Sequence, residues 1–458
     1  MLRKHSIRHA QWLAGLPRND NCVRLVWLQL TILIKALLYQ NSSSPKSQAR
    51  TDKQRNDSYM TTNAAALPGK SQKRNPFQTS RIVLICSGHF VHDVFSAFIA
   101  PLLPLLIDKL GLSLAMAGSL PVFMQMPSLL GPVIGWLADR FSLRYLVIFA
   151  PAATATMASL IGFMPTYGTA ALLLFGVGVS IMAFHAPAPA MIAHVSGEKV
   201  GRGMSFFMAG GELARTVGPL LVGFGVAQWG MEGLWRLMFF GWLASAVLWW
   251  RLRDVSAKRE RRKSAGKPML RRFARVFAPL LGVMLLRNMA VSCLGIFMVV
   301  YLVDVRGYDL TLATSALALY EFSGVGGALA GGTLSDRVGR RRMVAGATLV
   351  SALLMLLFVH VEGTLMAPLL IGLGLTALSV SPVFLALVQD QLPDSRATAN
   401  GLFMFYAFGV RAVNVMIAGV LGDAFGLQTA FILAALISLL SLPLIVALPA
   451  ARTRHEDL

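Results

Sequence analysis

Charge is scarce in this chain of 458 residues. Asp, Glu, Lys and Arg make up 14%, against 55% hydrophobic residues, and the mean hydropathy is +0.62. A soluble domain carries roughly 25% charged residues, so a water-soluble globule of this size is excluded, as is a disordered chain. Cysteine is scarcer still: Cys22, Cys86 and Cys293, widely spaced and without a CxxC pair, exclude a disulfide framework and a Cys-based zinc site. Acids number 21 against 42 Lys and Arg, a net charge of +21. That excess is local. Residues 1–80 hold about thirteen cations against three acids, and 251–275 about eleven against two. No aromatic platform accompanies the cations, which excludes nucleic acid as the partner.

Long apolar runs make up the rest. From residue 81 onward they recur in lengths of roughly 20–28 residues, each enough for a helix to cross a bilayer. Twelve spans are predicted, near 82–107, 113–137, 144–163, 168–194, 202–228, 233–251, 276–303, 310–334, 343–361, 364–389, 398–421 and 427–449. The fold class is all-α, a polytopic membrane protein. Alternate loops are basic (140–144, 198–202, 251–275 and 337–342), while the others hold almost no cations. The positive-inside rule then places both termini and the middle loop in the cytoplasm, with the chain in the cell membrane. The predicted layout is a basic, disordered tail over 1–80, a six-helix bundle over 81–252, a basic linker over 253–273, a second bundle over 274–450 and a tail over 451–458. Met60 is an alternative start, which would make 1–59 an artefact. Within the tail, Cys22–Tyr39 is apolar but carries Arg24, Thr31 and Lys35 on one stripe, the pattern of an interfacial helix.

Two segments repeat. GWLADRFSLR (Gly135–Arg144) and GTLSDRVGRRR (Gly332–Arg342) align on Asp139 and Asp336, roughly 197 residues apart; GMSFFMAGG from Gly203 and GLFMFYAFG from Gly401 repeat at nearly the same period. The chain is thus a duplicated six-helix unit with parallel repeats. In the repeated loop, glycine permits close helix approach, and the Asp can accept hydrogen bonds at a helix N-terminus. Gly135, Asp139 and Arg140, with Gly332, Asp336, Arg337, Gly339 and Arg340, are the expected gating-loop residues.

These residues resemble the loop signature of the major facilitator superfamily. The second copy matches it throughout; in the first, Ser142 and Leu143 depart from it. GHFVHDVFSAFIAPLLPLL from Gly88, AFHAPAPAMIAHVSGEKVGRGMSFFMAGG from Ala183 and QDQLPDSRATANGLFMFYAFG from Gln389 are similar to fosmidomycin resistance proteins. The resemblance implies two six-helix bundles and export of a drug in exchange for protons. Gly210, Gly218, Pro219 and Gly223 form a partial version of the family's antiporter motif. Glu212, Arg215 and Arg411 depart from those relatives and leave the substrate open.

Ionisable groups at bilayer depth are costly and face a cavity or a partner. Asp93 is the first candidate for proton carrier, with His89 one turn away; Glu212 and Glu321 are the next. Arg215, Arg287 and Arg411, with Asn288, Tyr320, Asn414 and His185, are the candidate substrate-binding residues. For Glu212–Arg215 an intrahelical pair is an equal reading, and for His185 a bond to carbonyls freed by Pro187 and Pro189. On a helix His92 points away from His89 and Asp93, and no second ligand cluster is evident, so no metal and no cofactor are expected. The expected partners are a small-molecule substrate, protons and the bilayer, for a monomeric protein. The predicted function is a proton-coupled exporter of a drug-like or anionic compound working by alternating access. A proton symporter of an organic anion and a transport-dead scaffold or sensor are the alternatives. No nucleophile–base set or phosphate loop points to an enzyme.

Overall fold

The computed structural model describes residues 77–130, 141–197, 199–255, 269–391 and 396–448, with the backbone alone at Leu130, 269–276, Gln391 and 396–402. The tail, the Cys22–Tyr39 helix, Met60, the first-copy loop residues Gly135, Asp139 and Arg140, the centre of the linker and residues 449–458 lie outside the described residues.

The described residues are helical, and no strand occurs among them. In the first half the helices are α1 (Thr79–Ser96), α2 (Ile99–Leu110), α3 (Leu114–Gln125), α4 (Arg144–Ser159), α5 (Tyr167–His185), α6 (Ala188–Ser196), α7 (Val200–Trp229) and α8 (Met238–Leu252). In the second they are α9 (Met269–Val300), α10 (Leu310–Val338), α11 (Arg340–Phe358), α12 (Met366–Ala377), α13 (Val380–Gln391), α14 (Arg396–Phe425), α15 (Leu427–Leu439) and α16 (Ser441–Ile445). Eight spans among the described residues are long and apolar enough to cross a membrane. The glycine-rich α7 and α10, which carry mid-span charges, the short α8, and α3, whose span runs on beyond the described residues, account for the other four of the twelve predicted.

Four spans expected as single helices are broken, and one rule explains all four. Pro101, Pro189, Pro382 and Pro443 each follow a break at the residue four positions earlier, near Ala97, His185, Leu378 and Leu439. Proline has no N–H to give that carbonyl, and its ring crowds it. The same chemistry leaves His185 as the last residue of α5.

Each half has its own buried apolar cluster. Ile82, Val147, Phe184, Ile192, Phe207 and Leu248 pack in the first, and Phe277, Val344, Val383, Phe384, Phe403 and Ile445 in the second. Large apolar side chains such as Leu172, Trp250, Leu329 and Val446 point outward, as bilayer contact requires. The halves meet where α7 packs on α10 and α3 on α14. Glycine makes these seams close: a Cβ on Gly223 of α7 would sit 2.2 Å from Thr314 Oγ1 of α10, and one on Gly419 of α14 would sit 2.5 Å from the Leu114 carbonyl oxygen.

Candidate functional site

The mid-span charges converge on the seam between halves. Arg215 of α7 donates from Nη2 to Glu321 Oε2 of α10 at 2.7 Å, and its Nη1 lies 3.5 Å from Glu212 Oε2 on its own helix. The intrahelical pair and the cross-half pair therefore coexist. Glu212 and Arg215 are about a third exposed, Glu321 only 9%. Arg411 of α14 is exposed at mid-helix yet lies within electrostatic reach of Arg215, Glu321 and Tyr320.

The other nominated polar residues divide by whether their hydrogen-bonding capacity is spent. Buried Arg287 donates to Asn288 Oδ1 at 3.2 Å and to the Ala377 carbonyl at the broken end of α12. Asn414 is buried and donates to the Leu285 carbonyl at 3.1 Å. These contacts tie α9 to α12 and α14. Tyr320 is fully buried, and its hydroxyl has no hydrogen-bond partner among the described residues. It remains a free donor beside Arg287 and Arg411.

A second cluster lies wholly in the first half. His89 Nε2 stands 3.1 Å from Asp93 Oδ2, as helical spacing predicts. His185 of α5 brings Nε2 to 3.3 Å from Asp93 Oδ1. His92 does not point away: its Nε2 is 3.9 Å from the same Oδ1. The expectation that His92 diverges fails because Asp93 is the adjacent residue, and its carboxylate reaches back toward the His92 ring. The second ligand group that the sequence did not reveal is His185, delivered from another helix by the break before Pro189. Two of the four side chains are held by aromatic stacking: His89 lies on Phe207 with ring centroids 3.9 Å apart, and His92 on Phe184 at 4.6 Å. His89, Asp93 and His185 offer ligand atoms within 4.8 Å of one another, a geometry open to a metal ion.

In the second copy of the repeated loop the Asp finds its partner in the basic cluster that follows it. Asp336 pairs with Arg340 at 2.7 Å, and Arg340 Nε reaches Asp390 Oδ2 at 3.3 Å. This ties α10, α11 and α13 within one half. Gly332 makes no close approach; Gly331 does, against the Ser379 carbonyl. Gly339 turns the chain at φ +92, a conformation suited to glycine, and Arg337 is exposed. A carboxylate set on a helix N-terminus does occur, but across the halves and at the end remote from the basic loops. Asp423 at the end of α14 accepts from the backbone N–H groups of Leu114 and Ala115, which open α3, at 2.6 and 2.8 Å. Sequence reading passed over Asp423 because it sits in a loop noted only for lacking cations.

Residues 85–413 match the family model described as Major Facilitator Superfamily. The chain belongs to the major facilitator superfamily. Its family relatives include the fosmidomycin resistance protein of Escherichia coli (strain K12), 25% identical over 391 residues, covering 81% of this chain and 93% of that protein. The uncharacterized MFS-type transporter YfnC of Bacillus subtilis (strain 168) is 26% identical over 396 residues, covering 83% and 95%. Among solved facilitator structures, a bacterial homolog of the human lysosomal transporter Spinster, inward-facing and occupied, superposes with a TM-score of 0.69 at 16% identity, covering 81% of this chain and 97% of that one. The nucleoside transporter NupG superposes with a TM-score of 0.65 at 13% identity, covering 80% and 98%. The protein is therefore an integral membrane protein of a secondary-transporter family, with the all-α facilitator fold. Within that fold the antiporter-like residues are packing residues of α7. A Cβ on Gly210 would meet the Cys86 carbonyl at 3.0 Å, one on Gly218 the Ala97 Cβ at 2.7 Å, and Gly223 faces Thr314; Pro219 is buried beside them.

Proposed function

We propose that the protein is a proton-coupled secondary transporter that exports a small drug-like compound by rocking its two bundles about the Arg215–Glu321 seam. The observation that carries this reading is the 2.7 Å pair itself, because it joins a charge of one half to a charge of the other at mid-span. Motion of the halves must remake that contact, so the protonation state of Glu321 biases which arrangement is stable. Of the acids nominated from sequence, Glu321 acts across the halves, Glu212 shares Arg215 from the first half, and Asp93 acts within the first half. The relative called a fosmidomycin resistance protein and the antiporter-like α7 support export. The protein works as a monomer in the cell membrane, with both termini in the cytoplasm.

The charge of the substrate sets the sign of coupling. A compound that offers a cation or donor to Glu321 competes with the proton, and competition for one site is antiport. A compound that offers an anion to Arg215 binds best when Glu321 is neutral, so anion and proton travel together. The cluster of Arg215 and Arg411 beside the free Tyr320 hydroxyl favours the second case for anions, and a proton symporter of an organic anion is the second reading. Overexpression in a drug-sensitive host, with and without a protonophore, separates them. Resistance abolished by the protonophore supports export, heightened sensitivity supports symport, and no change in either direction across anionic and cationic compounds overturns transport.

A further inference from the structure

The His89–Asp93 cluster has a proton count that its geometry decides. His89 Nδ1 lies 2.8 Å from the Phe207 carbonyl oxygen. A carbonyl only accepts, so Nδ1 carries the hydrogen, and in the neutral ring Nε2 is a lone pair. That lone pair faces Asp93 Oδ2. His92 is locked the same way. Ser180 donates to the Ala150 carbonyl at 3.2 Å, so Thr154 donates to Ser180 at 2.7 Å, and Thr154 Oγ1 then accepts from His92 Nδ1 at 3.1 Å. His92 Nε2 is therefore also a lone pair, and it and Asp93 Oδ1 are buried atoms without a hydrogen-bond partner among the described residues. His185 adds a third nitrogen. One shared proton would serve one of these contacts; a single cation can serve His89, Asp93 and His185 together.

We infer that His89, Asp93 and His185 form a binding site for one divalent transition-metal cation of the zinc class. Imidazole nitrogens with one carboxylate suit zinc, cobalt or nickel. Ligand atoms about 2.0–2.1 Å from a tetrahedral ion stand roughly 3.3 Å apart; His89 Nε2 lies 3.1 Å from Asp93 Oδ2 and His185 Nε2 3.3 Å from Asp93 Oδ1, and one ligand atom from each of the three residues falls within 4.8 Å of the others. Metal-bound histidines characteristically donate their other N–H to a carbonyl or similar acceptor, as His89 does. Access comes from His185 and Asp93, whose side chains are 35% and 17% exposed. Gly211 keeps the place open: a Cβ there would lie 2.7 Å from His89 Cε1 and 3.1 Å from Asp93 Oδ2. An ion held here clamps α1 to α5. The site is separate from the Arg215–Glu321 pair that carries the transport reading, and its test reads metal binding rather than transport.

The test is titration of the purified, tag-free full chain with Zn2+ by calorimetry and with Co2+ by visible absorption. The wild type should bind one equivalent of Zn2+ tightly and give the ligand-field band of four-coordinate cobalt. His185→Gln should weaken that binding at least tenfold. Gly211→Ala, which removes no ligand, should weaken it similarly by filling the space. His194→Gln and His360→Gln, at exposed histidines, should leave it unchanged. Metal-free melting temperatures and gel-filtration profiles identify any variant that has failed to fold, and Gly211→Ala on α7 keeps the test decisive should His185→Gln on α5 do so. Absence of saturable binding in the wild type, or equal binding in all four variants, overturns the site and leaves the cluster holding protons alone.

Discussion

Arg215 and Glu321 stand 2.7 Å apart across the seam between the two halves of this transporter, and the Arg also faces Glu212 on its own helix. One guanidinium thus serves two carboxylates, and removing either partner has unequal consequences. Arg215→Ala leaves Glu321 buried and uncompensated. Its cost should lie between the ~0–1 kcal/mol of an exposed pair and the ~3–5 kcal/mol of breaking a buried one. The double variant Arg215→Ala/Glu321→Ala should melt higher than Arg215→Ala alone in a detergent thermal scan; a lower melting temperature would show that the pair has no such coupling.

Glu321→Gln keeps the shape of the side chain and removes its charge and its proton traffic. In proteoliposomes the variant should retain substrate exchange at equal concentrations on both sides, while accumulation driven by a pH gradient falls to background. Gradient-driven accumulation at the wild-type level would move the coupling away from Glu321.

Asp423 holds the first two N–H groups of α3. A side-chain cap of this kind contributes about 1 kcal/mol, with a further gain from the helix dipole. Asp423→Ala should loosen the seam at that end. A cysteine placed at the buried Val415, which packs against Gly118, should then react faster with a membrane-impermeant thiol reagent, in a background lacking the three native cysteines. Unchanged reactivity would mean that the apolar packing alone closes the seam.

Gly374 lies so close to α10 that a Cβ would stand 2.2 Å from the Tyr320 carbonyl oxygen. Backbone cannot yield as a flexible side chain does, so Gly374→Val should destabilise by about 1–3 kcal/mol through overpacking, seen as a lower melting temperature. Gly332→Val, where nothing lies within 4 Å, should cost much less.

Glu232, in the loop between α7 and α8, accepts from Lys109 at 2.8 Å, and this bond holds its carboxyl below the usual carboxylate range. A depressed folded value stabilises above the ordinary carboxylate value and loses that contribution as pH falls through the folded value. Melting temperatures of wild type and Glu232→Gln should therefore diverge slightly at neutral pH and converge in acid. The difference is small because the pair is solvent-exposed; equal curves at every pH would show that the bond contributes nothing.

The sequence by itself determined the membrane class, the duplication, the helical architecture and the identity of the mid-span charges. Each of these follows from properties that are local or periodic: run length against bilayer thickness, cation bias between loops, and the expense of an ion in hydrocarbon. The i,i+4 neighbours His89 and Asp93 were legible for the same reason. Only the tertiary structure decided which helices bring their charges together. Arg215 meets Glu321, His185 meets Asp93, and Asp423 caps α3 because packing set by glycine gaps and proline breaks aligns residues far apart in the chain. A hydrogen bond between distant helices leaves no spacing in the sequence by which to find it. The lone-pair geometry at His89 and His92 depends on acceptors at Phe207 and Thr154, so the donor set facing Asp93 exists only once the first bundle is folded.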